Sequence, residues 1–124
     1  MRPHQKLLAW QAAIDLVKEI YVVTMSFPND EKFGIISQLR RAAVSVPTNI
    51  AEGAARNSIK EFIQFNYISL GSTSEIDTLL ILSKELNILN ETQYKVLLQK
   101  TEKVSALLSG LIKHLKQKSN ISTP

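Results

Sequence analysis

The sequence predicts an all-α protein, an antiparallel up-down-up-down four-helix bundle, and three observations predict it. The 124 residues include only four glycines and four prolines, so little interrupts long runs of good helix formers such as Leu, Ala, Lys, Glu and Gln. Four segments carry apolar residues at alternating spacings of three and four, the period that gathers side chains on one helix face. Connections of a few residues join these segments, which favours antiparallel neighbours, and the heptad-like spacing favours packing at about 20°. One domain, residues 1–118, is expected to hold the bundle, with residues 119–124 as a frayed tail. A chain of this length buries about two thirds of its unfolded surface and holds a core without staples.

The first helix follows from Leu7, Trp10, Ile14, Val17, Tyr21 and Thr24, with Leu8, Ala12, Leu16, Ile20 and Val23 as a second stripe facing another neighbour. Phe27-Pro28-Asn29-Asp30 ends it. Ile36, Leu39, Ala43, Val46 and Ile50 define the second helix, over about residues 34–57. Pro47 sits inside it, removing one backbone donor and crowding the Ala43 carbonyl, so this helix is expected to bend at Pro47 and continue. Asn49 has donors to offer the disturbed backbone, and Gly53 permits a close approach or a further adjustment.

Ser58-Ile59-Lys60-Glu61 reads as a capping box opening a third helix, which runs through Phe62, Phe65, Ser69, Thr73, Ile76, Leu80 and Ser83 to about Leu86. Its middle, residues 69–74, is small side chains almost throughout, which lets a neighbouring backbone come close. The fourth helix has the most regular pattern, Tyr94, Leu97, Thr101, Val104, Leu108, Leu111 and Leu115, after a cap at Asn90 or Thr92.

Charge is unevenly spread. The net charge is +4, yet residues 95–118 hold six lysines and a single acid, Glu102, so the excess lies on the last helix, opposite its leucine stripe. Two readings remain open: a solvated surface aided by cations near a helix C-terminus, or contact with phosphates. No aromatic residue interleaves with these lysines along the helix, so backbone-directed, salt-sensitive contact is expected rather than base stacking. Arg40, Arg41, Arg56 and Lys60 supply a second basic element on helix two and its exit, although Glu52, four residues before Arg56, is placed to pair with it.

Catalytic and cofactor chemistry finds little footing. No cysteine is present, which excludes a disulfide framework and thiolate metal sites; a reducing compartment and plain rarity of cysteine explain this equally well. The two histidines, His4 and His114, stand at opposite ends, and neither follows a carboxylate by three or four residues, as a bundle di-metal centre requires. Glu75 and Asp77 are two apart and diverge on a helix, so they do not share acid–base work. His114 between Lys113 and Lys116 resembles a phosphotransfer histidine only weakly. No enzyme, metal or cofactor is expected. Gln11 and Asp15 interrupt the apolar start, so no signal peptide is read, and residues 62–74, free of charge but rich in Ser, Thr, Gln and Asn, are too polar to span a bilayer. A soluble, cytoplasmic protein is expected.

The combination of Leu8-Ala9-Trp10-Gln11, Phe27-Pro28, Glu31, Phe33-Gly34, Gln38-Leu39-Arg40-Arg41-Ala42, Ser45-Val46-Pro47, Asn49-Ile50-Ala51-Glu52-Gly53, Arg56, Gly71-Ser72 and Glu75 resembles a known family. It is similar to the four-helix-bundle proteins encoded in intervening sequences of bacterial 23S rRNA genes. The match runs over nearly the whole chain, and residues 45–53 are its most specific part. The resemblance implies a homopentameric barrel of bundles. For the family's relative that serves as the accessory variability determinant of diversity-generating retroelements, it implies binding to nucleic acid and to a reverse transcriptase. Carried onto this chain, Arg40, Arg41 and Arg56 become candidate nucleic-acid contacts beside Lys100, Lys103, Lys113 and Lys116, with Pro47, Asn49, Glu52 and Gly53 as a structural motif. The chain departs from the family pattern at Ala9 and Ser83, which limits inference about partners. Two functions follow as expectations: a homo-oligomeric accessory factor that binds RNA or DNA through phosphate contacts, or a protein-interaction scaffold with no nucleic-acid role. Spare apolar surface on helices one and three points to self-association in either case.

Overall fold

The computed structural model describes residues 1–31 and 34–121, the last two by backbone alone. Phe33 and residues 122–124, named above in the resemblance and the tail, lie outside the described residues. Four helices follow in order, α1 (Leu8–Thr24), α2 (Ile35–Ala54), α3 (Ile59–Glu85) and α4 (Glu91–Ile121), with short 3₁₀ turns at Pro3–Lys6 and Asn29–Glu31. The described chain is an all-α four-helix bundle in which α1 and α3 each pack against both α2 and α4. Helix α4 continues three residues beyond the expected end at Lys118.

Residue pairs fix the directions. Between α2 and α3, Gly53 approaches Phe65, Val46 meets Ser69, and Ser45 meets Ser72, so one number rises as the other falls. Between α3 and α4, Lys84 reaches Glu91 while Tyr67 reaches Lys116. Between α1 and α4, Asp15 meets Lys100 while Leu8 lines one groove with Leu107 and Leu111. Each of these pairs is antiparallel, so α1 and α2 are as well.

On α2 the expected stripe is the observed one: Ile36, Leu39, Ala43, Val46 and Ile50 are all buried. On α1 it is not. The buried line is Ala9, Ala13, Leu16, Ile20 and Val23, whereas Leu8, assigned to a core stripe, is 66% exposed, and Tyr21 is also exposed. Ala9 and Ala13 carry too little side chain to register in a pattern of large apolar residues, yet their smallness lets a helix come close, and the larger neighbours fall to either flank. Each fully buried Leu or Ile, such as Leu16, Ile76 and Leu108, contributes roughly 1.5–3 kcal/mol by leaving water.

Helix α2 is assigned without interruption through Pro47. The carbonyls that follow Ala43 all receive side-chain donors: Thr48 Oγ1 donates to Val44 O at 2.6 Å, Asn49 Nδ2 to Ser45 O at 2.8 Å, and Ser69 Oγ of α3 to Val46 O at 2.8 Å. The small-residue stretch of α3 thus brings the α2 backbone within hydrogen-bond reach. Gly53 marks a further close approach, since a Cβ there would stand 2.7 Å from Phe65 Cβ and 3.0 Å from Phe62 Cδ1.

The helix ends are chemically defined. Ser58 Oγ accepts from Glu61 N at 3.1 Å, but the Glu61 carboxylate turns outward to lie 3.9 Å from Arg56 Nε, so half of the expected box forms. At α4, Asn90 and Gln93 form the full reciprocal box at 2.8 and 3.2 Å, which selects Asn90 over Thr92 as the cap. Helix α3 closes in a Schellman motif: Ile88 N donates to Ser83 O, Asn87 N donates to Lys84 O, and Asn87 takes φ 58°, a conformation asparagine tolerates better than most residues.

Candidate nucleic-acid interface

The seven basic residues singled out from sequence do not form one patch. Arg40 projects from α2 onto the end of α1, where its Nε donates to Thr24 Oγ1 at 2.9 Å and its guanidinium carbon lies 4.5 Å from the Tyr21 ring centroid. Its planar fork suits this use, satisfying a buried hydroxyl while stacking on an aromatic ring. Arg41, one residue on, is exposed between grooves on the α1 and α3 sides of α2. Arg56 pairs with Glu52 at 3.1 Å, as its spacing implied, and also covers the Phe65 ring at 4.9 Å. It therefore seals the contact that Gly53 opens.

The lysines of α4 divide in the same way. Lys100 turns towards α1 and pairs with Asp15 at 2.5 Å. The hydrogen bond from Lys100 holds the Asp15 carboxyl below its usual range, against a smaller opposing effect of desolvation and with help from the charges of Lys100, Lys103 and Lys18. The same bond raises the Lys100 ammonium above its ordinary value. Lys103 and Lys113 are exposed, and among the described residues neither makes an ion pair.

Lys113 and Lys116 share a groove between α3 and α4 of about 330 Å³, which Tyr67, Leu70, Ser109, Ile112 and Gln117 complete. Residues 109, 113, 116 and 117 recur at helical spacing, so α4 turns one polar edge to the groove. Lys116 Nζ donates to Tyr67 Oη at 2.6 Å. Tyr67 is an aromatic partner that α4 does not itself supply beside Lys113 and Lys116, and it arrives from the neighbouring helix. Its pairing with Lys116 rests on the α3–α4 register, which periodicity within one helix does not specify. Among the described residues no carboxylate lines this groove.

The motif of Pro47, Asn49, Glu52 and Gly53 serves the α2–α3 seam: Asn49 holds the Ser45 carbonyl, Glu52 holds Arg56, and Gly53 admits Phe65. Among the described residues no three His, Asp or Glu side chains gather as metal ligands, and no helix is long and apolar enough to cross a membrane. One further group escaped the sequence pattern. Asn66 is fully buried on α3, and its amide oxygen and nitrogen meet no hydrogen-bond partner among the described residues. It stands four residues after Phe62 and three before Ser69, so the spacing that places Phe62, Ser69 and Thr73 inward also turns Asn66 inward.

Fold and surface together define a small all-helical bundle protein whose excess of positive charge lies on its last helix. A model of the 23S rRNA-intervening sequence protein family matches residues 5–110, and the chain belongs to that family. Among solved structures, it is similar to a protein of unknown function from the S23 ribosomal protein family of Bacteroides thetaiotaomicron. That protein is 22% identical, superposes with a TM-score of 0.80, and is matched over 86% of this chain and 96% of its own. No curated protein matches the chain.

Proposed function

We propose that the protein is a non-catalytic, self-associating accessory factor that binds nucleic acid by its phosphates through the exposed lysines of α4. The observation that carries the reading is the contrast in partners: Arg40, Arg56 and Lys100 are held by groups of their own chain, whereas Lys103 and Lys113 point outward without an acid within ion-pair distance. An exposed, unneutralised lysine displaces condensed counterions when it meets a phosphate, which makes such binding steeply dependent on salt. Family membership adds a setting in rRNA intervening sequences, and the named relative adds nucleic acid and a reverse transcriptase as partners to test. The cytoplasm is the compartment that this reading requires.

Self-association is supported by the apolar side chains left outside the bundle. Leu8 and Val22 on α1 and Met25 just after it are 66%, 62% and 77% exposed, and Ile68, Ile81 and Leu82 lie open on α3. A closed ring of copies would cover two such faces on every subunit, and the family resemblance makes five the number to test. The same apolar faces favour the second reading, a scaffold that binds other proteins.

A gel-shift or anisotropy titration with single-stranded RNA, structured RNA and duplex DNA at two salt concentrations separates the two. Binding that weakens as salt rises supports the nucleic-acid reading, and no binding at low salt removes it. Light scattering at micromolar concentration is expected to show an oligomer; a monomer overturns the assembly.

A further inference from the structure

Building on the nucleic-acid reading, we infer that the groove between α3 and α4 is a single-strand site, in which an unpaired base stacks on Tyr67 while its phosphate is held by Lys113 and Lys116. Tyr67 is 46% exposed, so its ring is presented rather than packed away. The Lys116 ammonium lies 2.6 Å from Tyr67 Oη yet 5.1 Å from the ring centroid, which puts it off the hydroxyl end of the ring rather than over a face. Leu70 and Ile112 supply an apolar floor, and Ser109 and Gln117 add polar groups along the rim. The groove, about 330 Å³, falls at the small end of the range typical of ligand pockets, roughly 300–1,000 Å³.

Charge selects the occupant. Among the described residues two lysines and no carboxylate line the groove, so it favours an anion. An aromatic face beside a phosphate-binding lysine is the pairing that single-strand binders use, because every base has a π-face and stacking tolerates sequence. A duplex keeps its bases stacked on each other and offers none to Tyr67. Single strands should therefore bind more tightly than duplex of equal length, with little preference for sequence.

The test uses fluorescence anisotropy with labelled oligouridylate and with a duplex of the same length, for the full chain and for Tyr67→Ala and Tyr67→Phe. Tyr67→Ala is expected to weaken single-strand binding by about tenfold or more and to leave duplex binding unchanged, while Tyr67→Phe keeps the ring and stays within about threefold of the parent. Thermal unfolding checks that each variant is folded. An oligonucleotide carrying 5-iodouridine should photo-crosslink to the peptide that contains Tyr67. Unchanged single-strand affinity in Tyr67→Ala, or crosslinks confined to other peptides, overturns this site while the broader nucleic-acid reading stands. Failure of the parent protein to bind either probe at low salt overturns both.

Discussion

Arg40 and Arg56 lie folded onto their own chain, each stacked on an aromatic ring and bonded to a neighbouring oxygen, whereas Lys103 and Lys113 extend from α4 and, among the described residues, form no ion pair. The two groups have the same formal charge and differ in what the fold does with it. A guanidinium is flat, weakly hydrated and rich in fixed donors, so it closes seams between helices; an ammonium on a flexible stem stays hydrated and keeps its field available to a partner. Counting basic residues along a sequence merges these two uses. In this chain it ranks Arg40 and Lys113 together, although the first fastens α2 to α1 and the second faces solvent.

The strongest way to disturb the arginine side lies beneath Arg56. Gly53→Ala places a methyl group 2.7 Å from Phe65 Cβ, which forces Phe65 and the stacked Arg56 to move. Urea unfolding is expected to show a loss of about 2 kcal/mol, the ordinary cost of overpacking a tight seam. A neutral result would mean that α2 and α3 separate more easily than their contacts imply.

Arg40→Ala ranks next. It removes the donor to Thr24 and the stack on Tyr21, for an expected loss of about 1 kcal/mol in stability, with nucleic-acid affinity held within about twofold. A large fall in affinity with stability intact would move Arg40 to the functional side of the comparison.

Lys100 makes the smallest contribution, as the one α4 lysine in this set tied to an acid of α1. Asp15 has a lowered pKa, so its share of stability is complete above the ordinary value of 3.8 and is lost as pH falls through the folded value. Lys100 has a raised pKa, so its share is complete below 10.5 and is lost as pH rises through the folded value. Both side chains reach solvent, and screening limits the pair to about 0.5 kcal/mol or less. Lys100→Met should therefore differ slightly from the parent in unfolding at neutral pH, and the difference should close as pH falls below 3.8. A gap that persists in acid would assign it to packing of the lysine stem instead.

These residues also show what sequence reading reaches. Helix number, order and most boundaries were legible because α2 and α4 carry their buried residues at unbroken three-four spacing, and because Ser58 and Asn90 mark helix starts chemically. The Glu52–Arg56 pair was legible for the same reason, being local to one helix face. The core line of α1 was legible from Leu16 to Val23 but shifted at its start, because Ala9 and Ala13 are small, and the inward turn of Asn66 was passed over because an amide is not counted as apolar. The meeting of Tyr67 with Lys116 was hidden for a different reason: it joins residues 49 apart through the packing of two helices, and nothing within either helix announces it.

The claim that exposed α4 lysines bind while Arg40 and Arg56 hold the fold is tested most directly by one titration, comparing the parent protein, Lys113→Glu/Lys116→Glu and Arg40→Ala against single-stranded RNA at low and moderate salt. The lysine double variant is expected to keep the parent's unfolding midpoint, lose about tenfold or more in affinity and show a shallower salt slope. Arg40→Ala should keep its affinity and lose stability. Equal affinity for the parent and the lysine variant at both salt concentrations would contradict the claim.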